Sequence, residues 1–320
     1  MKLVTLCAAA CALAPTALCA QPYPAKPVRL IVGFPAGGGV DVIARQLAQE
    51  LTKSLGQTVV VDNRPGAAGN IAAELTAKSP PDGYTLMVGN VGALTINPSL
   101  YPKLPFDTLR DFAPVSLLAT VMLVVIVHPS LPVKTLRELV ALAKHRPGQL
   151  NYGSAGSGGI THLAVELLKS QNGLALVHVP YKGSAPAFTD LVGGQLQVMI
   201  DAIPAPLPLI QAGRLRALAV TATVRSPALP AVPTTTEAGF PRFVVSGWQG
   251  VVAPAGTPAA IVTRLNTEIG RVLAQPEFRD KLVAQGSDPA PSTPEQFGAF
   301  LQSELTKWAA VVKASGARLE

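Results

Sequence analysis

Gly33-Phe34-Pro35-Ala36-Gly37-Gly38-Gly39-Val40-Asp41 decides the fold. The apolar run Val28-Arg29-Leu30-Ile31-Val32 leads into it. A helical pattern leaves it, with Ile43, Leu47, Leu51 and Leu55 on one face. The order is strand, glycine loop, helix. Three adjacent glycines leave backbone N–H groups uncovered at the positive end of a helix dipole, a place suited to an anion. The chain then repeats itself. Leu150-Asn151-Tyr152-Gly153-Ser154-Ala155-Gly156-Ser157-Gly158-Gly159-Ile160-Thr161 is a second strand and glycine loop, followed by a helix through Leu163, Leu167 and Leu168. Gly153 stands 120 residues after Gly33 (153 − 33), and Leu167 the same distance after Leu47 (167 − 47). Two anion-ready loops on two similar units point to a ligand held between two lobes.

Each unit continues in the same order. In the first, Thr58–Val61 is a β-branched strand, a helix runs through Ile71 and Leu75, and Tyr84–Val88 forms a third strand. In the second, Leu176–Val179, a helix through Phe188 and Leu191, and Leu196–Ile200 repeat it. Both are βαβαβ, the unit of parallel sheets covered by helices. The expected fold class is therefore α/β with two lobes, each a mostly parallel sheet, joined by two crossover strands. Val121–Val127 is unbroken apolar sequence and reads as the outgoing crossover, buried on both faces. Phe243–Val252 reads as the return. These runs give lobe 1 as 21–122 with 249–320, and lobe 2 as 123–248. Thr257-Pro258 predicts an N-cap and first helical position, with Ile261, Leu265, Ile269, Val272 and Leu273 facing inward. Thr293-Pro294-Glu295-Gln296 predicts a capping box, with Phe297, Phe300, Leu301, Leu305 and Trp308 as core candidates. Asn97–Pro114 and Pro227–Pro241 are proline-punctuated and read as surface loops.

The first twenty residues read as a secretory signal peptide. Lys2 supplies the positive start, Leu3–Leu13 a short apolar stretch, and Ala20 the small residue before the cut. That stretch is too short to span a bilayer. All three cysteines, Cys7, Cys11 and Cys19, fall in this segment, so cleavage leaves no disulfide, thiol nucleophile or Cys-based metal site. Bulky Leu18 before Cys19 fits a lipid-attachment signal poorly. The expected location is the periplasm. The net charge of +7 becomes +6 without Lys2, and its Lys and Arg residues are scattered rather than clustered, which argues against a nucleic-acid partner.

The glycine loops first invite a nucleotide. A Walker-type loop needs Gly-Lys-Ser/Thr where Gly39-Val40 stands, and a dinucleotide fingerprint starting at Gly37-x-Gly39 fails at Val42. Asp62 does stand where such folds place a ribose-binding acid. Export to a compartment without nicotinamide cofactors argues against that reading, and no cofactor is expected. An exported hydrolase acting in the cleft is the alternative, with Ser157 in Ala155-Gly156-Ser157-Gly158-Gly159 as nucleophile. That architecture needs an acid and then a histidine later in the chain. Asp190 and Asp201 are available, but His178 is the last histidine. His128, His145 and His162 show no metal spacing. His162 reads as a helix-start residue packing on its own loop, and Asp41 either as a ligand contact or simply as an acid complementing the dipole. Arg64 and Lys182 occupy matching places after the second strand of each unit.

Taken together, several segments resemble the signature segments of Bug-type solute receptors, the extracytoplasmic binding proteins of tripartite tricarboxylate transporters. They are Phe34–Asp41, Asn63–Asn70, Asp82–Leu86, Tyr152–His162 and His178–Pro186, with Leu218–Thr221, Pro233–Gly239 and Ala253–Pro258. The similarity covers essentially the whole mature chain. It implies a two-lobed receptor, not an enzyme, that captures a small carboxylate and works as a monomer with transporter membrane subunits. It further implies that backbone and hydroxyl donors, partly through ordered waters, hold the carboxylate. The implied contacts are Ala36, Gly37, Gly38 and a water-holding Asp41 from the first loop, and Ser154, Ser157 and Gly158 from the second. Gly183, Ser184 and Asp201 stand behind them, and Phe34, His162 and Lys182 complete the candidate ligand-binding set.

Overall fold

The computed structural model describes residues 23–315, so the expected signal peptide lies outside the described residues. The first unit runs β1 (Val28–Val32), α1 (Gly39–Leu55), β2 (Val59–Asn63), α2 (Asn70–Ala77) and β3 (Thr85–Asn90). Its strands are parallel in the order β2-β1-β3. The five residues of β1 are almost wholly apolar, and Val28, Leu30, Ile31 and Val32 are fully buried. The Ile43, Leu47, Leu51 and Leu55 face of α1 packs against this layer, as its spacing requires.

After a short α3 (Asn97–Leu100), the chain enters β4 (Phe112–Val127) and then α4 (Leu136–His145). The second unit repeats the first: β5 (Asn151–Ser154), α5 (Ile160–Asn172), β6 (Val177–Pro180), α6 (Ser184–Val192) and β7 (Val198–Ala202). Its strands lie in the matching order β6-β5-β7. α7 (Leu207–Gln211) and β8 (Arg216–Val220) complete this side. β9 (Ser246–Pro254), α8 (Ala259–Ala274), α9 (Pro276–Ala284), β10 (Ser287–Pro289) and α10 (Pro294–Ser315) return to the first.

Both expected crossovers are present, but the outgoing one starts earlier than its apolar run. β4 begins at Phe112, inside the stretch read as loop, and takes part in both sheets. Phe112–Met122 pairs with β9, while Leu123–Val127 pairs with β7 and β8. The hand-over lies between Met122 and Leu123. On the return, Val245 bonds to Thr221 of the second side, and Thr221 Oγ1 donates to Val245 O at 2.5 Å. β9 then starts at Ser246 and inserts between β3 and β4. One mixed ten-stranded sheet results, parallel at each end and antiparallel where β9, β4 and β7 meet.

The C-terminal helices cover the first side. The expected capping box of α10 is present: Gln296 N–H donates to Thr293 Oγ1 at 3.2 Å, and Thr293 N–H to Gln296 Oε1 at 2.9 Å. The expected cap of α8 is not. Pro258 is its N-cap, and Thr257 Oγ1 donates to Pro254 O at 2.7 Å instead. Within α10, Glu304 is buried and accepts from the indole N–H of both Trp248 and Trp308, each at 2.9 Å. This fixes the start of β9 against the helix.

Candidate functional site

Both glycine loops end at the same cleft. Its first wall is Phe34, Gly38–Val40, Ala68, Asn90, Val91 and Gln249, and its second is Ala155, Gly159–Thr161, Ser184, Asp201 and Ala202. Val121, Leu123, Gly247 and Trp248 close it at the hand-over. The walls come close across it: a methyl placed on Gly39 would lie 3.4 Å from Ala202 Cβ. The empty volume, including the open mouth, is ≈ 640 Å³. Among the lining residues there is no Lys, Arg or His, and Asp201 is the sole ionisable group. What the cleft offers to an anion is therefore backbone and neutral side chains, not a cation. α1 and α5 both begin at the wall, and N–H groups in a helix's first turn have no helical acceptor. In α1 the first helical bond runs from Val42 N–H to Gly38 O, which leaves Gly39 and Val40 ahead of it. In α5 the bond from His162 N–H to Gly159 O leaves Ile160 and Thr161 ahead of it.

Of the expected contacts, Phe34, Gly38, Ser184 and Asp201 stand on the cleft wall. Ser157 and Lys182 line an adjoining cavity with Phe34, Ala155, Gly156 and Tyr181. The others are elsewhere, each for a reason visible in its neighbours. Ala36 and Gly37 are exposed, and Gly37 N–H donates to Asp41 Oδ2 at 2.9 Å. Asp41 is only 2% exposed and belongs to the loop, not the wall. It also accepts from Arg45 Nε at 2.9 Å and Asn63 Nδ2 at 2.8 Å. Burial pushes the Asp41 carboxyl up, but Arg45, Asn63 and the Gly37 N–H outweigh it and hold the group below the usual carboxylate range.

The second loop is held differently. Gly158 N–H donates to His162 Nδ1 at 3.0 Å, so His162 does pack on its own loop. Its ring stacks on His178 at 4.0 Å between centroids, and Tyr152 stacks on His178 at 4.9 Å. Ser154 Oγ is 2.7 Å from His178 Nε2, behind the wall. Burial lowers both histidines, His178 to about 4 with a contribution from His162 beside it. Tyr152 OH donates to Glu166 at 2.5 Å, and Lys169 pairs with the same carboxylate at 2.6 Å. Gly158 and Gly183 serve lobe contact: added carbons there would meet Leu100 Cδ2 at 1.9 Å and Pro35 Cδ at 2.3 Å.

Asp201 is 3% exposed, accepts from the Ser184 hydroxyl and from Ala202 N–H at 2.7 Å, and is pushed up by burial to about 6. Sequence reasoning missed Asn90 and Gln249 as wall residues. Gln249 and Asn90 sit on strands without a motif, and only their register across β3 and β9 brings them together. The turn at Gly159–Thr161 was legible from its position at the helix start.

The model of the tripartite tricarboxylate transporter family receptor matches residues 43–317. The chain belongs to this family. Protein BugT of Bordetella pertussis is 44% identical to the receptor over 302 residues, covering 94% of this chain and 93% of that one. The Rpa4515 structure with adipate, from R. palustris, is 40% identical with a TM-score of 0.91, covering 93% of this chain and all of that one. MatC from Rhodopseudomonas palustris, with bound malate, is 34% identical with a TM-score of 0.86, covering 91% of this chain and all of the other. The chain is thus a Bug-type solute-binding receptor with two α/β lobes. The solved relatives are binding proteins rather than enzymes. Ser157, the nucleophile of the hydrolase alternative, lines the adjoining cavity. No helix among the described residues is long and apolar enough to cross a membrane.

Proposed function

We propose that this receptor captures a small organic acid between its lobes in the periplasm and presents it, as a closed monomer, to the membrane subunits of a tripartite tricarboxylate transporter. The observation that carries the reading is the pair of helix starts, α1 and α5, facing one cleft with uncommitted backbone N–H groups. The adipate and malate of the two R. palustris relatives support a carboxylate as the ligand class. Phe34, Gly38, Ser184 and Asp201 form part of the contact set, with Ser157 and Lys182 at the adjoining cavity. Lobe 1 comprises 21–122 with 249–320 and lobe 2 123–248, exported by the segment 1–20. Hydrogen bonds to a charged group contribute roughly 1.5–3 kcal/mol each, so four or five of them reach the about −8 kcal/mol of micromolar binding. Closure shields those bonds and distinguishes a loaded from an empty receptor.

The test is mass spectrometry of compounds released from the purified, denatured protein, followed by titration of the released acid. Return of the acid unchanged after prolonged incubation is expected. Accumulation of a product would replace the receptor reading with an enzyme.

A further inference from the structure

The first wall carries two carboxamides that the chain leaves partly unused. Asn90 and Gln249 stand opposite each other across β3 and β9, and both line the cleft. Gln249 is 3% exposed, and its Oε1 is buried with no hydrogen-bond partner. Asn90 Oδ1 accepts from Ala93 N–H at 3.0 Å, which leaves its NH2 group for another partner. Buried carboxamides are normally paired, and an unpaired one lining a cleft is complementary to something that enters it. The neighbouring Trp248 is anchored by Glu304, so the strand that carries Gln249 is fixed.

This pair borders the start of α5. A methyl placed on Gly92 would lie 3.5 Å from both Asn90 Oδ1 and Gly159 Cα, and 3.8 Å from Ile160 N. The opposite end of the cleft has a different character. Asp201 pairs with Val124 of β4 and Gln249 with Ala119, a separation of five residues (124 − 119) along the strand. At about 3.3 Å per residue that is roughly 16 Å. Both ends have a helix start, α5 beside the carboxamides and α1 beside Ala202, but only the second holds a buried carboxylate, with no cation beside it on the wall.

We propose that Asn90 and Gln249 fix the orientation of the bound solute, donating with the α5 N–H groups to its carboxylate and leaving the Ser184–Asp201 end for a hydroxyl or ammonium group. The inference rests on the carboxylate reading above and narrows it to hydroxy or amino acids over diacids of the same length. The unpaired Oε1 is an acceptor and cannot itself hold an anion, but the Gln249 NH2 forms no hydrogen bond among the described residues and, unlike Oε1, is not sealed off, so it is the group that can donate to the carboxylate. A second carboxylate would lie against Asp201 with no cation on the wall to offset the repulsion.

Isothermal titration near neutral pH with matched pairs tests it: 4-hydroxybutyrate against succinate, 5-hydroxypentanoate against glutarate, and 6-hydroxyhexanoate against adipate. The wild type should prefer the hydroxy acid by about tenfold or more in the pair that fits. Gln249→Met should weaken both members of that pair by about tenfold, while the unliganded thermal midpoint stays level or rises, which a structural role would not allow. Gln249→Glu should weaken them by about a hundredfold, and Asp201→Asn should bring the two members of the pair close to equal. Wild-type affinity in both Gln249 variants, or preference for the diacid in the wild type, overturns the inference and leaves the carboxylate reading standing. Binding by none of the six acids sinks the carboxylate reading itself, and this inference with it.

Discussion

The two glycine loops have the same plan and different fastenings. Each follows a central parallel strand, opens a helix at a glycine N-cap and faces the cleft. The first is tied by charge, with Asp41 drawing in Gly37, Arg45 and Asn63. The second is tied by neutral rings, with His162 accepting from Gly158 and resting on His178 and Tyr152. The lesson is that the anion-facing backbone is the repeated part, and the side chains beneath it are free to diverge. The two loops should therefore fail under different insults.

The largest difference is expected from an added methyl. Gly158 has φ +83° and Leu100 Cδ2 at 1.9 Å from the position of a new Cβ, whereas Gly37 has φ +84° and nothing within 4 Å. Gly158→Ala combines left-handed strain with overpacking and should cost about 2–4 kcal/mol. Because Leu100 comes from the other lobe, ligand affinity should fall as well. Chemical denaturation and titration of the variant would show both effects. A variant as stable as wild type would mean that Leu100 moves aside freely.

Next comes the charge tie. Asp41→Asn removes charge-assisted bonds from Arg45 and Gly37, for a loss of about 1.5–3 kcal/mol. The same denaturation experiment reads it. Its salt response sharpens the comparison: added salt should shrink the gap between wild type and Asp41→Asn, and leave a His178→Phe variant unaffected.

Acid should separate the loops more finely. His178 is held below its ordinary 6.5, at about 4, so its contribution is complete above 6.5 and is lost as pH falls from there towards 4. Asp41 is held below its ordinary 3.8, so its contribution is complete above that value and is lost only beneath it. Amide exchange corrected for intrinsic rates should show Gly158 losing protection first and Gly37 later. The reverse order would break the assignment of the two fastenings. In His178→Phe the ring stack remains but the Ser154 bond goes, for about 1 kcal/mol, and much of the loss of protection between 6.5 and 4 should disappear.

The smallest effect belongs to Gly37→Ala. With open space around it, only the left-handed conformation is penalised, by about 1 kcal/mol. Affinity should change little, because the Gly37 N–H is committed to Asp41.

Much of this was legible in the sequence because it is local. Glycines next to an apolar run, and helix faces such as Ile43–Leu55, declare themselves within a dozen residues. The βαβαβ repeat and the capping box at Thr293 needed nothing more. What escaped depends on distant partners. β4 extends back to Phe112 through Pro114 because β9 pairs with it, and β10 is three residues held by Ala119–Val121. The Asp41 role needed Asn63, and the His162 role needed His178 alongside its own loop. The wall position of Gln249 needed Asn90 from a strand some 160 residues earlier (249 − 90 = 159).

The strand order β3-β9-β4 has a consequence for how the chain assembles. β3 and β4 are made early, yet the strand that belongs between them arrives only at Ser246–Pro254, after all of β5–β8. Contacts such as Met87 with Val252 close very long loops, and such contacts slow folding. Until they form, β3 and the first part of β4 each present an unpaired edge, the kind of surface on which chains stick to one another. A chain ending at Val245 should complete the β5–β8 side, leave the β1–β3 side unsealed, and aggregate. The strand that seals the receptor is therefore delivered late, which makes the arrival of β9 the step at which two exposed edges become the middle of a sheet.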